Sequence, residues 1–312
     1  MDESAGMRVD FPLVATGEHP RMHDDELEID ADLVRRLLAE QLPPLAGLPV
    51  RAVGSRGTVN AMYRLGDHLS VRLPRTAAWA GELERERVWL PRLRGRLTLQ
   101  VPEPVAWGSP TEEYPLPWAV YSWVEGDPYD DALVDDEVRA ANDLARFVRE
   151  LRAGPVDDAP STGRRPLLEL DEATRLAIAE AADVLDAAAV TAAWERALTA
   201  PVFAGPKVWI HTDLLRPNLL VRGGCLAAVL DFGAVGVGDP AADVIAAWTV
   251  FGPAGRTRYR EALEVDHATR ERARGYALTQ AALIVPYYRD TNPAFAASAL
   301  RTLREIVSDG SA

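Results

Sequence analysis

The 312-residue sequence holds one cysteine, Cys225, and one lysine, Lys207. A lone thiol excludes an intrachain disulfide and a thiolate-built metal cluster, so packing must hold the fold. Positive charge is scarce: 34 Lys and Arg stand against 47 Asp and Glu, for a net charge of −13. Phosphate-backbone binding needs clustered cations, so a nucleic-acid partner is not expected, whereas a cationic small molecule is compatible with this balance. No run of roughly 18 uncharged apolar residues occurs. The best candidate, Leu226 to Phe251, carries Asp231, Asp239 and Asp243, so no membrane span is expected. The opening MDESAGMRVDFPL lacks the basic start and apolar core of a secretory signal, which leads to the expectation of a cytoplasmic address. Internal repeats and low-complexity tracts are also missing.

What remains is a chain with 48% hydrophobic residues, long enough for one large domain or two lobes. Residues 1–25 read as an irregular tail. DADLVRRLLAEQL follows as a helix capped by Asp30 or Asp32. VRAVGSRGTVNAMYRLGDHLSVRLPR, Val50 to Arg75, contains three short apolar runs between glycine-containing turns, the pattern of an antiparallel meander. A helix is expected from Thr76 to about Leu90, ended or kinked by Pro91. After another strand, PWAVYSWV, the pattern is mostly helical, interrupted by strands at VWIH, NLLV and LAAVLDF. The expected class is α+β in two lobes: a small antiparallel-sheet N-lobe over 26–122, a hinge at 123–126 and a larger, mostly helical C-lobe over 127–312.

The chemistry concentrates in HTDLLRPN, His211 to Asn218, and in the later DFG, Asp231 to Gly233. His211, Asp213, Leu214 and Asn218 meet the pattern H-x-D-L-x-x-x-N, and the two motifs come in the order that phosphoryl transfer uses. Such a reaction needs a carboxylate beside the attacking hydroxyl and oxygen ligands for Mg²⁺ on the nucleotide phosphates. Asp213 is the candidate for the first task, Asn218 and Asp231 for the second.

These motifs, with Thr212 between His211 and Asp213, VGDPAADV after the DFG, and NAMYRLG…LSVRLPR upstream, resemble the aminoglycoside phosphotransferase family of bacterial small-molecule kinases. The resemblance runs from about Val50 to the C-terminus and implies a protein-kinase-like fold. The A-P-E, V-A-I-K and G-x-G-x-x-G-x-V signatures of protein kinases are missing. Against the family's common H-G-D-x-H-P-G-N, Thr212 replaces Gly, Leu215 the second His, and Arg216-Pro217 the Pro-Gly pair. Arg216 is placed with Asp213 among the catalytic candidates.

The family's third-strand lysine is absent, since Lys207 falls just before the catalytic loop. Arg72 is the best substitute for gripping nucleotide phosphates, with Arg75 as the alternative. Trp79, Leu83, Glu86 and Leu90 step along one helix face, so Glu86 lies in an apolar stripe and is the expected partner of Arg72. GSRGTVN supplies Ser55 and Thr58 as candidate phosphate donors, although such a hairpin is also simply a turn. Backbone groups of Ser122, Trp123 and Val124 occupy the hinge position for the purine, leaving ATP against GTP open.

His211 is read as a support of the loop from the core, with Asp243 as the residue that holds it. For the acceptor, the resemblance points to the segments Asp157 to Asp171 and PYYRDTNP. Asp157, Asp158, Glu169, Asp171 and Asp290 are candidate receivers of ammonium groups, and Tyr288 a stacking surface. Solvation alone explains each of these carboxylates equally. The resemblance therefore implies a Mg²⁺-dependent phosphotransferase moving the γ-phosphate of ATP or GTP to a hydroxyl of an antibiotic-like, possibly cationic, acceptor, in a monomer or weak dimer. Two readings stand beside it: a kinase of the same fold acting on another metabolite, and a silent pseudokinase serving as a binding module.

Overall fold

The computed structural model describes residues 26–54 and 59–310. The chain is α+β and divides by contacts into two units, the described residues of Met1–Ala80 with Pro104–Trp123, and Gly81–Glu103 with Val124–Ala312.

The first unit is a five-stranded antiparallel sheet in the order β1-β2-β3-β5-β4. Its strands are β1 (Val50–Ala52), β2 (Asn60–Leu65), β3 (Leu69–Pro74), β4 (Pro104–Gly108) and β5 (Trp118–Ser122). Register places Met62 opposite Arg72 and Arg72 opposite Ala119. Helix α1 (Ala31–Gln41) is capped by Asp30, whose Oδ1 accepts the Leu33 amide at 2.7 Å. Its buried Leu33, Val34, Leu37 and Leu38 recur at helical spacing and pack with Tyr63, Val71, Leu73 and Trp118 into one core.

The second unit opens with α2 (Ala80–Leu93). The helix runs through Pro91, where a break was expected. Pro91 cannot donate to the Arg87 carbonyl, and the helix ends two residues later, at Leu93. Trp89 meets Trp209 at 5.2 Å between ring centroids, and Gln100 joins β9 through Gln100 N to Ala227 O and Val229 N to Gln100 O. The expected N-lobe of 26–122 therefore does not keep this segment, which clusters with Val124–Ala312.

Three short strands, β6 (Asp127–Pro128), β8 (Leu219–Arg222) and β9 (Cys225–Val229), form one antiparallel sheet; β7 (Val208–Ile210) pairs with β10 (Gly236–Gly238) in another. Around them lie α3 (Glu137–Arg152), α4 (Asp171–Glu180), α5 (Ala187–Leu198), the one-turn α6 (Ala241–Val244) and α7 (Ala246–Thr249), α8 (Pro253–Ala262), α9 (His267–Tyr288) and α10 (Pro293–Asp309). Helix α9 is buried along most of its length, including Arg272, Arg274 and Thr279. Among the described residues, no helix is long and apolar enough to cross a membrane.

Candidate active site

Strand β7 ends at Ile210 and delivers His211 to Asn218 as a loop; β9 ends at Val229 and delivers Asp231. The two exits are tied together by Leu230 N donating to Asn218 O at 2.8 Å and by the His211 ring, whose Nε2 lies 3.0 Å from Leu230 O. His211 is fully buried, edge-on to Phe232 at 4.8 Å, and its Nδ1 accepts the Asp213 amide at 3.3 Å. Both ring nitrogens are thus spent on backbone groups of the loop.

Asp243 on α6 grips the same loop by its backbone. Its carboxylate accepts the His211 amide at 2.9 and 3.1 Å and the Thr212 amide at 2.8 Å, while the ring of His211 turns elsewhere. Burial pushes the Asp243 carboxyl up, opposed by Arg152, His211 and the two amides. Thr212 carries φ +76° and Asp231 φ +63°, a left-handed backbone that side chains other than glycine rarely adopt.

Asp213 is half-buried, with both oxygens engaged. Asn218 Nδ2 donates to Oδ2 at 2.7 Å and also to the Asp213 carbonyl at 3.0 Å; Gln280 Nε2 on α9 donates to Oδ1 at 3.0 Å. Burial and then the charge of Asp231 push the Asp213 carboxyl up, while Arg164, His211 and Gln280 pull it down. An orientation of Asn218 that gives its nitrogen to Asp213 turns its amide oxygen away from that carboxylate. That oxygen and Asp231 suit Mg²⁺, which takes one or two protein oxygens and fills its shell with water and phosphate. Among the described residues, no group of three or more His, Cys, Asp or Glu able to hold a metal occurs.

Glu86 of α2 is fully buried and accepts the Phe232 amide at 2.8 Å, which fixes the turn after Asp231. Gly233 sits so close that a Cβ there would meet Glu82 Cβ at 2.7 Å. Arg216 is held by Val250 O through Nε at 3.1 Å and Nη2 at 2.8 Å, and by Asp131, with its guanidinium 5.3 Å from the Tyr129 ring centroid. These bonds tie it to a neighbouring turn of the helical unit.

In the first unit, Arg72 is buried on β3 with its guanidinium 5.3 Å from the Tyr121 ring centroid. The Trp123 amide donates to His68 O at 2.7 Å, so it is engaged within the first unit. Val124 belongs with Leu220, Ala228 and Leu230 to a small apolar cluster in the second unit. Ser55 and Thr58 lie outside the described residues.

Of the acceptor candidates, Asp157, Asp158, Glu169 and Asp290 are exposed. Asp171 is occupied by Arg175 Nε at 2.8 Å and Trp194 Nε1 at 2.7 Å, and Tyr288 packs on Phe295 at 5.4 Å. A cavity of ≈ 20 Å³ beside the catalytic loop is lined by residues including Leu215, Gln280, Ile284 and Phe295, and no charged residue lines it. Two residues at the centre escaped the sequence reading, Gln280 and Arg164. Gln280 is a lone amide in the run ALTQAALIV, a usable signal; Arg164, in GRRP, has none.

Comparison with known proteins follows this geometry. The family model described as "Phosphotransferase enzyme family" matches residues 50–276. Among solved structures, an aminoglycoside 2''-phosphotransferase of type IIIa in complex with GDP and kanamycin superposes with a TM-score of 0.71 at 22% identity, covering 89% of this chain and 99% of that one. A macrolide 2'-phosphotransferase type I gives 0.58 at 20%, covering 88% and 96%. The macrolide 2'-phosphotransferase of Brachybacterium faecium, as apoenzyme, gives 0.56 at 21%, covering 87% and 98%. At these identities the likeness is one of fold. No curated protein matches the chain.

Proposed function

The chain belongs to the phosphotransferase enzyme family, and from that premise we propose that it moves the γ-phosphoryl group of ATP or GTP to a hydroxyl of a small, antibiotic-like acceptor. The observation that carries this reading is the Asp213 carboxylate, clamped between Asn218 and Gln280 with the charge of Asp231 acting on it. A carboxylate so fixed can orient an acceptor hydroxyl and take its proton as the new O–P bond forms. The bond from the γ-phosphorus to the bridging oxygen breaks, and a nucleoside diphosphate leaves.

Asn218 and Asp231 would hold Mg²⁺, which when bound neutralises charge on the phosphates. Arg72 is assigned to the phosphates, with the backbone of Ser122 to Val124 assigned to the base. Aminoglycosides and macrolides, the acceptors named in the solved relatives, are the first compounds to screen. Sugars and amino alcohols belong beside them, as acceptors for a kinase of another metabolite.

The test is nucleoside-diphosphate release with Mg²⁺ and ATP or GTP across that panel, with Asp213→Asn as control. Turnover should fall by about 10² to 10⁴ in the variant, the usual effect of losing a positioned base, while its thermal midpoint and nucleotide affinity persist. Equal turnover in both proteins would remove Asp213 from the reaction. Nucleotide binding without any turnover in the native protein would favour the binding-module reading.

A further inference from the structure

Arg164 reaches the catalytic loop from the segment between α3 and α4. Its Nη2 donates to Thr212 O at 3.0 Å and to Gln280 Oε1 at 2.8 Å. Those two bonds use both hydrogens of that nitrogen. A carboxamide whose oxygen is held by a guanidinium must present its nitrogen on the other side, and there Gln280 Nε2 meets Asp213 Oδ1 at 3.0 Å. Neither flip nor rotation of the amide satisfies both neighbours, since the reverse orientation would set N–H against N–H and C=O against carboxylate. Arg164 is also held in the charged environment of the loop: burial disfavours its charge and Asp213 favours it.

On the opposite edge of the carboxylate, Asn218 fixes Oδ2. Two donors on two oxygens determine the plane of the Asp213 carboxyl, and each oxygen keeps a second lone pair for another donor. We infer that Gln280, locked by Arg164, is a positioning residue for phosphoryl transfer: it sets the Asp213 carboxylate so that the remaining lone pair of Oδ1 meets the acceptor hydroxyl. The inference rests on the phosphotransfer reading of the site. Gln280 also lines the small uncharged cavity beside Leu215. Its worth lies in orientation, for which a small misplacement of a reacting group costs rate far more than binding.

Two measurements test it. Kinetically, Gln280→Leu should lower kcat by about 10- to 100-fold with the nucleotide KM changed less than about threefold, a loss confined to the transition state. Arg164→Gln should lower kcat in the native background and cost less once Gln280→Leu is present, because part of its effect runs through the same amide and only the bond to Thr212 O is left to lose. Gln280→Glu should be worse than Gln280→Leu, since it puts a second negative charge against Asp213. Full activity in Gln280→Leu, or losses in the two single variants that simply multiply, would overturn the inference.

Independently of turnover, the chain has only three glutamines, Gln41, Gln100 and Gln280. Selective ¹⁵N-glutamine labelling thus gives three side-chain amide pairs. Asp213→Asn should shift one pair and leave two in place; a spectrum in which no pair responds also overturns the inference. If the native protein transfers to no acceptor while that pair does respond, the phosphotransfer reading fails and the Arg164–Gln280–Asp213 arrangement stands.

Discussion

Thr212 shows how much restraint a single loop residue requires. A β-branched side chain at φ +76° is strained by roughly 1–3 kcal/mol, and the surroundings hold it there: Asp243 takes its amide and Arg164 its carbonyl. Asp243→Ala should therefore leave two buried amides, those of His211 and Thr212, without an acceptor. The expected loss is about 2–6 kcal/mol, at ~1–3 kcal/mol for each stranded group, read from the urea midpoint. An unchanged midpoint would show that other groups hold the loop. The sequence made His211, Asp213, Asn218 and Asp231 legible because their spacing lies within two short contiguous stretches. Arg164 was not legible and Gln280 stood out only as a lone amide in an apolar run, since they meet the loop across 48 and 67 residues and no local period records such a meeting.

Among the elements, α10 is the clearest case of a helix fastened at one residue. Asp309, in its last turn, accepts from Arg260 at 2.9 and 3.3 Å, from Arg274 at 3.1 Å and from Trp248 Nε1 at 3.1 Å, with Arg256 at 3.3 Å. Burial raises its pKa, but the hydrogen bonds and charges of these arginines outweigh it and bring it from 3.8 down to about 2. The folded value lies below the unfolded one, so this contribution, about 2 kcal/mol, is complete above pH 4 or so and is lost as pH falls toward 2. Melting between pH 6 and 2.5 should show that loss in the native protein. In Asp309→Asn the midpoint should start lower and depend less on acid; parallel curves would remove Asp309 as a source of the acid sensitivity. Helix α2 teaches a different lesson at this scale. Of the expected stripe of Trp79, Leu83, Glu86 and Leu90, the last three are buried, whereas Trp79 lies before the helix and is exposed. The helix's membership of the second unit was not readable, because the partners, Trp209 and Phe232, lie more than a hundred residues on.

For the whole molecule, the two-unit division and the antiparallel meander of β1 to β3 followed from the strand patterns of Val50 to Arg75, whereas β4, inside the proline-rich VPEPVAWGSP, and the unit boundaries did not. The chain passes from one unit to the other at Ala80, at Glu103 and again at Trp123. A cut at the hinge therefore does not yield an intact helical unit. The fragment 124–312 should lack a cooperative transition and show weak near-UV circular dichroism, because it has lost Trp89 from Trp209, Glu86 from Phe232 and Gln100 from β9. Addition of a peptide covering 81–103 should restore part of the signal. A fragment 124–312 that melts cooperatively on its own would refute this dependence.

The same interleaving sets an order on biosynthesis. The sheet of the first unit is complete once Ser122 has left the ribosome, but the bond from Phe232 to Glu86 cannot form until more than a hundred further residues have been added. At ~5–20 residues per second, α2 and its apolar Leu83, Leu90 and Leu93 wait on the order of 10 s for their permanent neighbours. During that interval the apolar face of α2 is uncovered in the emerging chain. This places the exposure to aggregation in the nascent protein, ahead of any stage at which the finished enzyme could be tested.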